Sequence, residues 1–184
     1  MSAGRKARDL ELLDALDRLE RKPFAGSVWR VVREGRDALQ GSPVGARWDP
    51  GLFDVLYTSL DRNGALAEIH FHLSRQPVFP SKIRWQICRL KARTRRSLHL
   101  ADMADLERLG VHRAQYGDLM YARTQAIGDA AYFLGFDGLI APNARWQCLN
   151  LVLFTDRLEP MDLSVEDSAW IDWTEWRKSR PEAR

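Results

Sequence analysis

The stretch VLYTSLDRNGALAEIHFHL, residues 55–73, changes its hydrophobic pattern partway along. Residues 55–58 are β-branched, apolar and aromatic, which is typical of a buried strand. Ser59 or Asp61 can then cap a helix that runs to about Leu73, because each side-chain oxygen can accept from backbone N–H groups of a first helical turn. We therefore predict a strand that passes directly into a helix.

Further strands are predicted on both sides of this stretch. Residues 28–33 (VWRVVR) are short, β-branched and aromatic, and the Gly-, Pro- and Asp-rich residues that follow favour a long loop. Residues 82–91 alternate apolar and polar side chains, the pattern of a strand with one face in the core. Residues 139–141 and 149–154 are apolar strand candidates on either side of a polar loop.

Four helices are predicted besides the one after Ser59, from leucine spacing, from capping residues and from a stripe of tryptophans. Residues 7–21 place leucines three and four apart among charges, and Asp102 can cap a short helix that ends near Leu109. Residues 122–134 form a third candidate, closed by Gly135. The last is a C-terminal helix whose one face carries tryptophans every three residues: Trp170, Trp173 and Trp176.

The order of these elements indicates an α+β fold. Strands and helices alternate without the regular spacing of a doubly wound sheet, and no Gly-x-Gly-x-x-Gly follows a strand. With 184 residues, the chain suits one mixed domain that has a central, partly antiparallel sheet flanked by helices. We divide it into an N-terminal helical extension (1–24), a main domain (25–160) and a helical tail packed on that domain (161–184).

Composition predicts a cytoplasmic protein. No apolar run approaches the roughly eighteen residues of a membrane span, and the N-terminus is charged and amphipathic. Cys88 and Cys148 lie far apart, so we expect reduced core thiols with neither a disulfide framework nor a zinc site. His70 and His72 diverge on a helix, which disfavours a metal site.

Positive charge is mild overall but locally dense. A formal net charge of +3 and a pI near 9.1 favour anionic ligands only weakly. The densest basic run carries no interleaved aromatics for stacking on nucleic-acid bases, and we interpret it as a solvated loop after a strand. This run comprises Lys91, Arg93, Arg95 and Arg96.

Three residues in and around the opening stretch could form a nucleotide site. Arg47 sits in the Gly-containing loop GARW (45–48), where a guanidinium can grip a phosphate. Tyr57 offers an aromatic face and a hydroxyl, and Glu68 lies too deep in its helix for a capping role. Each has a structural alternative: a loop salt bridge, a half-buried strand residue, and a solvated position paired with His72.

Seven motifs together resemble the RES domain family, in the family's order and over about two thirds of the chain. They lie in two blocks, separated by a stretch without such motifs. The first block holds WRVV (29–32), GARW (45–48), LYTS (56–59) and ALAE (65–68). The second block holds GFDG (135–138), PNAR (142–145) and NLVLF (150–154).

This resemblance implies an activity, a fold and a partner. RES proteins are toxins of bacterial toxin–antitoxin pairs, with a fold similar to that of ADP-ribosyltransferase toxins. They destroy NAD by hydrolysis or phosphorolysis of the nicotinamide–ribose bond, so NAD is a substrate and no cofactor is expected. The implied partner is an Xre-type helix-turn-helix antitoxin, through which alone the complex would contact DNA. A homo-oligomer and a toxin–antitoxin hetero-oligomer both stay open.

The family's conserved Arg, Tyr and Glu match Arg47, Tyr57 and Glu68 in motif and order. The resemblance thus implies that Glu68 stabilises oxocarbenium-like charge on ribose or holds its hydroxyls, while Arg47 holds the pyrophosphate. Tyr57 would stack on or orient the nicotinamide ribose half.

We add four candidates for substrate binding. Arg30 occupies an inner strand position by alternation and is a second phosphate candidate; the alternative is a strand-edge charge. Ser59 and Asn150 offer neighbouring polar groups. Asn143 stands where the family has Ser, and its amide cannot replace a hydroxyl atom for atom. ADP-ribosylation of a protein, or a non-catalytic binding module, therefore stays open beside NAD degradation.

Overall fold

A computed structural model gives the structure, which describes residues 7–179. The helices are α1 (Leu10–Asp17), α2 (Arg62–Ser74), α3 (Met103–Arg108), α4 (Ala122–Phe133) and α5 (Trp173–Ser179). The strands are β1 (Lys22–Arg33), β2 (Val55–Ser59), β3 (Trp85–His99), β4 (Gly138–Pro142), β5 (Leu149–Phe154) and β6 (Leu163–Trp170). Short 3₁₀ turns lie at Arg113–Gln115, Thr155–Arg157 and Pro160–Asp162.

The strands form a six-stranded sheet in the order β1-β2-β5-β4-β3-β6, and β1 also pairs with β3. This second pairing closes a ring of five strands, to which β6 is added at β3. The β3–β4 pair is parallel and the other pairs are antiparallel. The predicted mixed α+β class, with a central, partly antiparallel sheet flanked by helices, is confirmed.

Helices cover the sheet with two separate hydrophobic clusters. In the first, Leu12 and Leu16 of α1 share a buried cluster with Ile127 of α4 and strand residues such as Leu139. The second cluster joins apolar residues of α2 and α5 to β1 and β3. Both chain ends of the described part therefore pack into the fold, and the three-part division of the chain stays a prediction.

Most elements form where the sequence predicts them. Strand β2 passes into α2 with one bend between them, and the Asp61 side chain accepts from two N–H groups of the first turn. Asp102 caps α3, and Gly135 follows α4 with a φ of +82°. Strand β1 is longer than predicted and α1 is shorter.

The basic run is not a loop, and that prediction is wrong. It continues β3, with buried Ala92 and Thr94 alternating with exposed Lys91, Arg93 and Arg95. The inward side chains are small or polar, so the alternation that marks a strand is weak in the sequence. The cations are simply the outward face of a strand.

The C-terminal tryptophan stripe is split between two elements. Trp170 ends β6 and is 47% exposed, whereas Trp173 and Trp176 lie on α5 and are buried. A single helix through all three was therefore the wrong prediction. Strand β6 was not predicted. It is an edge strand whose residues are mostly exposed, so its sequence shows no apolar periodicity.

Two further expectations concern membranes and cysteines. Within residues 7–179, no helix is long and apolar enough to cross a bilayer. Cys88 is a buried free thiol as predicted, while Cys148 is also free but only half-buried. The same described range holds no group of three or more His, Cys, Asp and Glu residues suited to a metal ion.

Candidate active site

A cavity of about 260 Å³ opens between β1, β2, α2 and the loop that precedes β2. Aromatic, apolar and cationic side chains line it, around the carboxylate of Glu68. Six of the seven predicted site residues meet there: Arg30, Arg47, Tyr57, Ser59, Glu68 and Asn150. The seventh, Asn143, is 8% exposed and is not among the lining residues.

The Arg47 guanidinium is held by carbonyl groups and aromatic rings. It donates to the carbonyl of Tyr116 at 2.6 Å and to that of Asp118 at 3.4 Å. Its central carbon lies 4.7 Å from the ring centroid of Tyr116 and 4.8 Å from that of Tyr121. These neutral partners fix the side chain without cancelling its charge, so it stays attractive to an anion.

The Tyr57 hydroxyl is already engaged by the protein. It donates to a carboxylate oxygen of Asp49 at 2.9 Å and accepts from the backbone N–H of Trp48 at 2.8 Å. Burial and the nearby Asp49 carboxylate raise the pKa of Tyr57 well above its usual value, so the phenol keeps its proton. The ring lines the cavity, while the hydroxyl anchors the loop that carries Arg47.

A backbone N–H group and the side chain of Asn150 hold the Glu68 carboxylate, and Asn143 supports Asn150. Glu68 Oε1 accepts from the backbone N–H of Ala144 at 3.3 Å and from the Asn150 amide at 3.5 Å. The Asn150 carbonyl oxygen in turn accepts from the Asn143 amide at 2.8 Å. Asn143 also accepts from two backbone N–H groups, those of Arg145 and Trp146, and so shapes the turn after β4. It reaches the cavity only through Asn150.

Arg30 brings a second cation to the cavity wall. Its Nη1 atom is buried without a hydrogen-bond partner among the described residues. Desolvation by burial lowers the pKa of Arg30 below its usual value, because the charged form loses water without gaining a paired carboxylate. A buried guanidinium nitrogen without a hydrogen-bond partner is costly unless an anion binds to it.

Ser59 lies at the cavity floor and is only 2% exposed. Its Oγ lies 3.3 Å from the Cys148 sulfur and accepts from the Asp61 backbone N–H at 3.3 Å. A Cβ built on Gly64 would lie 2.4 Å from this Oγ, so α2 begins in close contact with β2. The hydroxyl is therefore largely committed to the turn between the two elements.

Sequence reasoning missed two residues of the site. Asp49 gave no signal, because a single Asp in a Gly-rich loop is typical of a turn. Arg145 belongs to the PNAR motif but had no assigned role. It lines the cavity, its central carbon lies 3.3 Å from the ring centroid of Phe71, and burial lowers its pKa although Glu68 opposes that shift.

Together, the fold and the site define an α+β protein with one carboxylate in a pocket walled by guanidinium groups and aromatic rings. The family model for the RES domain matches residues 27–174, and the chain belongs to the RES domain family. That match starts at β1 and ends in α5, so it spans every element of the pocket.

Similar proteins include the NAD(+) phosphorylase MbcT of Mycobacterium tuberculosis and of Mycobacterium bovis. Each is 26% identical over 178 residues, a match that covers 88% of this chain and 91% of the relative. Among solved structures, a chain of the M. tuberculosis MbcT–MbcA toxin–antitoxin complex superposes with a TM-score of 0.83 and 21% identity. That superposition covers 94% of this chain and 98% of the other, and it establishes the shared fold.

Proposed function

We propose that this protein is the toxin of a toxin–antitoxin pair and that it degrades NAD by cleaving the bond between nicotinamide and ribose. The observation that carries the proposal is a single carboxylate, Glu68, in a pocket that also presents Arg30 and Arg47. Membership of the RES family and similarity to proteins named NAD(+) phosphorylase support it.

Glu68 is the group we assign to the reacting ribose. Nicotinamide leaves with the electron pair of the C1′–N bond, and positive charge develops on C1′ and the ring oxygen of the ribose. A carboxylate beside this charge stabilises the transition state more than the ground state, which is what accelerates the step. An oxygen of the acceptor then bonds to C1′. Because both contacts to Glu68 fall on Oε1, we assign Oε2 to the ribose side.

The other lining residues bind and orient the dinucleotide. Arg47 and Arg30 match the two negative charges of the pyrophosphate, and neither is neutralised by a carboxylate within residues 7–179. The ring of Tyr57 supplies a flat surface for the nicotinamide ribose half, and Asn150 holds Glu68 in place. Asn143 fixes Asn150, so the departure from the family Ser acts one contact away from the substrate.

We propose inorganic phosphate as the acceptor, because the relatives are named phosphorylases and the pocket carries excess cationic charge. Phosphorolysis would give nicotinamide and a phosphorylated ADP-ribose, whereas hydrolysis would give free ADP-ribose. Transfer to a protein would leave labelled ADP-ribose on protein. Incubating the purified protein with labelled NAD, with and without phosphate, separates these products by chromatography. Equal rates with and without phosphate would argue for water as acceptor.

The main experiment compares Glu68→Gln with the wild type. The amide keeps an acceptor oxygen for Ala144 and Asn150 but removes the negative charge, so nicotinamide release should fall by about 10²-fold or more. Glu20→Gln, at an exposed acid before β1, is the matched control and should release nicotinamide at the wild-type rate. Wild-type protein that releases no nicotinamide, or Glu68→Gln that releases it normally, would refute the proposed activity.

We further propose an antitoxin partner of the Xre type and a cytoplasmic location. The similar solved structure, which is that of a toxin–antitoxin complex, supports an antitoxin partner. The Xre type rests on the resemblance to the family, and the location rests on composition. The test is co-expression with the product of the adjacent gene, followed by gel filtration and a nicotinamide-release assay. Co-elution of the two proteins and a loss of nicotinamide release in the complex would support the pairing. The complex should also retard DNA in a gel, whereas the toxin alone should not. Free toxin with unchanged activity would contradict it.

A further inference from the structure

Asp49 is a fully buried carboxylate, 0% exposed, in the loop that precedes β2. Its Oδ1 accepts from the backbone N–H of Gly45 at 2.7 Å and of Gly51 at 3.0 Å. Its Oδ2 accepts from the Ala46 backbone N–H at 3.1 Å and from the Tyr57 hydroxyl at 2.9 Å. Four donors thus replace the water that a buried carboxylate loses, and both oxygens are used.

These contacts determine the path of the loop. Gly45 and Gly51 have φ values of +68° and +78°, the left-handed region that glycine adopts without strain. Both N–H groups can therefore turn inward onto one oxygen of Asp49, which closes the loop on itself. Arg47 lies inside the closed segment, two residues before the carboxylate.

Helix α4 holds the same loop from its other side. The Gln125 amide donates to the carbonyls of Gly45 at 3.2 Å and Ala46 at 2.9 Å. A Cβ built on Gly128 would lie only 1.8 Å from the Trp48 carbonyl oxygen, so the helix packs directly against the loop backbone. With α4 on one side, the Tyr57 hydroxyl ties the middle of the loop to the sheet through Asp49 and through the backbone N–H of Trp48.

We infer that Asp49 is a positioning residue, which sets the place of the Arg47 guanidinium in the pocket, and that the Tyr57 hydroxyl acts through Asp49 and not on the substrate. This inference rests on the proposed function, since it assigns the geometry of that same site. Arg47 is the residue that meets the anionic part of the substrate, and Asp49 acts one step behind it.

The inference predicts a particular kinetic signature. Arg47 holds the pyrophosphate, which does not change during bond cleavage, so its contacts contribute equally to the ground state and the transition state. Misplacing it weakens both equally, which raises KM and leaves kcat nearly unchanged. A mutation that merely loosens the fold has the opposite signature, because it lowers the melting temperature and the active fraction while KM is unchanged.

The experiment is a double-mutant cycle of Asp49→Asn and Tyr57→Phe, with KM, kcat and melting temperature measured for each variant. Asn loses the acceptor at Oδ2, and Phe keeps the ring but loses the hydroxyl. We expect KM to rise about 10-fold for Asp49→Asn and somewhat less for Tyr57→Phe, with kcat within a factor of about two. The double variant should raise KM by less than the product of the two single effects, because both changes break the bond between Asp49 and Tyr57, although Tyr57→Phe also removes the acceptor of the Trp48 N–H.

The matched control is Asp162→Asn, which changes a second buried carboxylate that lies outside the pocket and accepts from Arg93 and Arg95. It should lower the melting temperature without changing KM. Unchanged KM in both Asp49→Asn and Tyr57→Phe would overturn the inference, as would fully multiplicative effects in the double variant. If Asp49→Asn does not fold, the KM of Tyr57→Phe alone tests the inference: a raised KM supports it and an unchanged KM overturns it.

Failure of the proposed activity is distinguishable from failure of this inference. Should the wild type release no nicotinamide, ADP binding measured by calorimetry replaces KM as the readout of Arg47. The inference then stands if Asp49→Asn weakens ADP binding about 10-fold and Asp162→Asn does not. It is overturned if Asp49→Asn binds ADP as the wild type does, or if the wild type binds none.

Discussion

Two groups of arginines in this protein do opposite things with the same side chain. On β3, Arg93 and Arg95 both donate to the carboxylate of Asp162, which is 2% exposed. In the pocket, Arg47 donates to neutral carbonyls, and one guanidinium nitrogen of Arg30 has no partner in the described part of the chain. The first group shares a carboxylate of the protein, whereas the second has no carboxylate partner in the described part of the chain and keeps its charge for a ligand.

The difference shows that cation density is a poor guide to function. The β3 run is the densest in the sequence, yet its charge is partly used in holding the turn before β6. The pocket arginines come from separate segments and converge only after folding. The pocket cations are half-buried guanidinium groups that line a cavity without a carboxylate partner in the described part of the chain, so binding an anion can offset their lost hydration.

The largest expected effect contrasts Arg47→Gln with Arg95→Gln. Loss of a charged hydrogen bond costs about 1.5–3 kcal/mol, so Arg47→Gln should raise the KM for NAD about 10-fold to 100-fold. Glutamine can still donate to the nearby carbonyls, and the melting temperature should change little. Arg95→Gln should lower the melting temperature and leave KM unchanged. Steady-state kinetics and thermal unfolding of both variants check this. Equal effects of the two variants on KM would contradict the proposed difference between the two groups of arginines.

A second test uses Arg30→Met, which replaces the unsatisfied cation by an apolar side chain of similar length. We expect KM for NAD to rise about 10-fold, because one phosphate contact is lost. The melting temperature should stay level or rise, since replacing a buried charge by an apolar group is often neutral or stabilising. Arg33→Met, at the exposed end of β1, is the control and should not change KM. A clear fall in the stability of Arg30→Met would show that Arg30 is structural.

The smallest effect concerns the pH dependence of Asp162. Burial opposes its ionisation, but hydrogen bonds from Arg95, Arg93 and a backbone N–H outweigh it and lower the pKa of Asp162 below the usual 3.8. Because the pKa is lower in the folded state than in the unfolded state, the ionised carboxylate stabilises the fold fully at a pH above the unfolded-state pKa. This stabilisation is lost as the pH falls through the folded-state pKa. The free energy of unfolding of the wild type should therefore exceed that of Asp162→Asn by about 1–2 kcal/mol at pH 7. The gap should shrink below pH 4 in urea unfolding curves, and a constant gap would contradict the assignment.

The sequence predicted the parts of the fold that have strong local patterns. Strand β2 is a run of apolar and β-branched residues, α2 begins at the Asp61 cap, and the start of β3 alternates apolar and polar residues. The end of β3 has charged outward residues and small or polar inward ones, and nearly all of β6 is exposed, so neither segment shows a clear apolar periodicity. Such a strand can be identified only from the strand with which it pairs, as β6 pairs with β3.

The site was predicted as a set of residues but not as a network. Motif order brought Arg47, Tyr57 and Glu68 together, and the structure places all three on one cavity. The sequence offered both the ring and the hydroxyl of Tyr57 to the substrate, whereas in the structure the hydroxyl is bonded to Asp49 and Trp48. Asn143 was expected at the substrate and lies behind Asn150 instead. Their catalytic and binding roles stay predictions for the kinetic tests above.

By itself, the sequence determined the class of fold, the family and the three residues around which the pocket forms. These follow from local sequence patterns and from the order of motifs along the chain. Only the tertiary structure decided which arginine is neutralised, which hydroxyl is already bonded and which carboxylate is buried. The physical reason is that hydrogen bonding and desolvation depend on groups far apart in the chain, such as Asp49 with Tyr57 or Arg95 with Asp162.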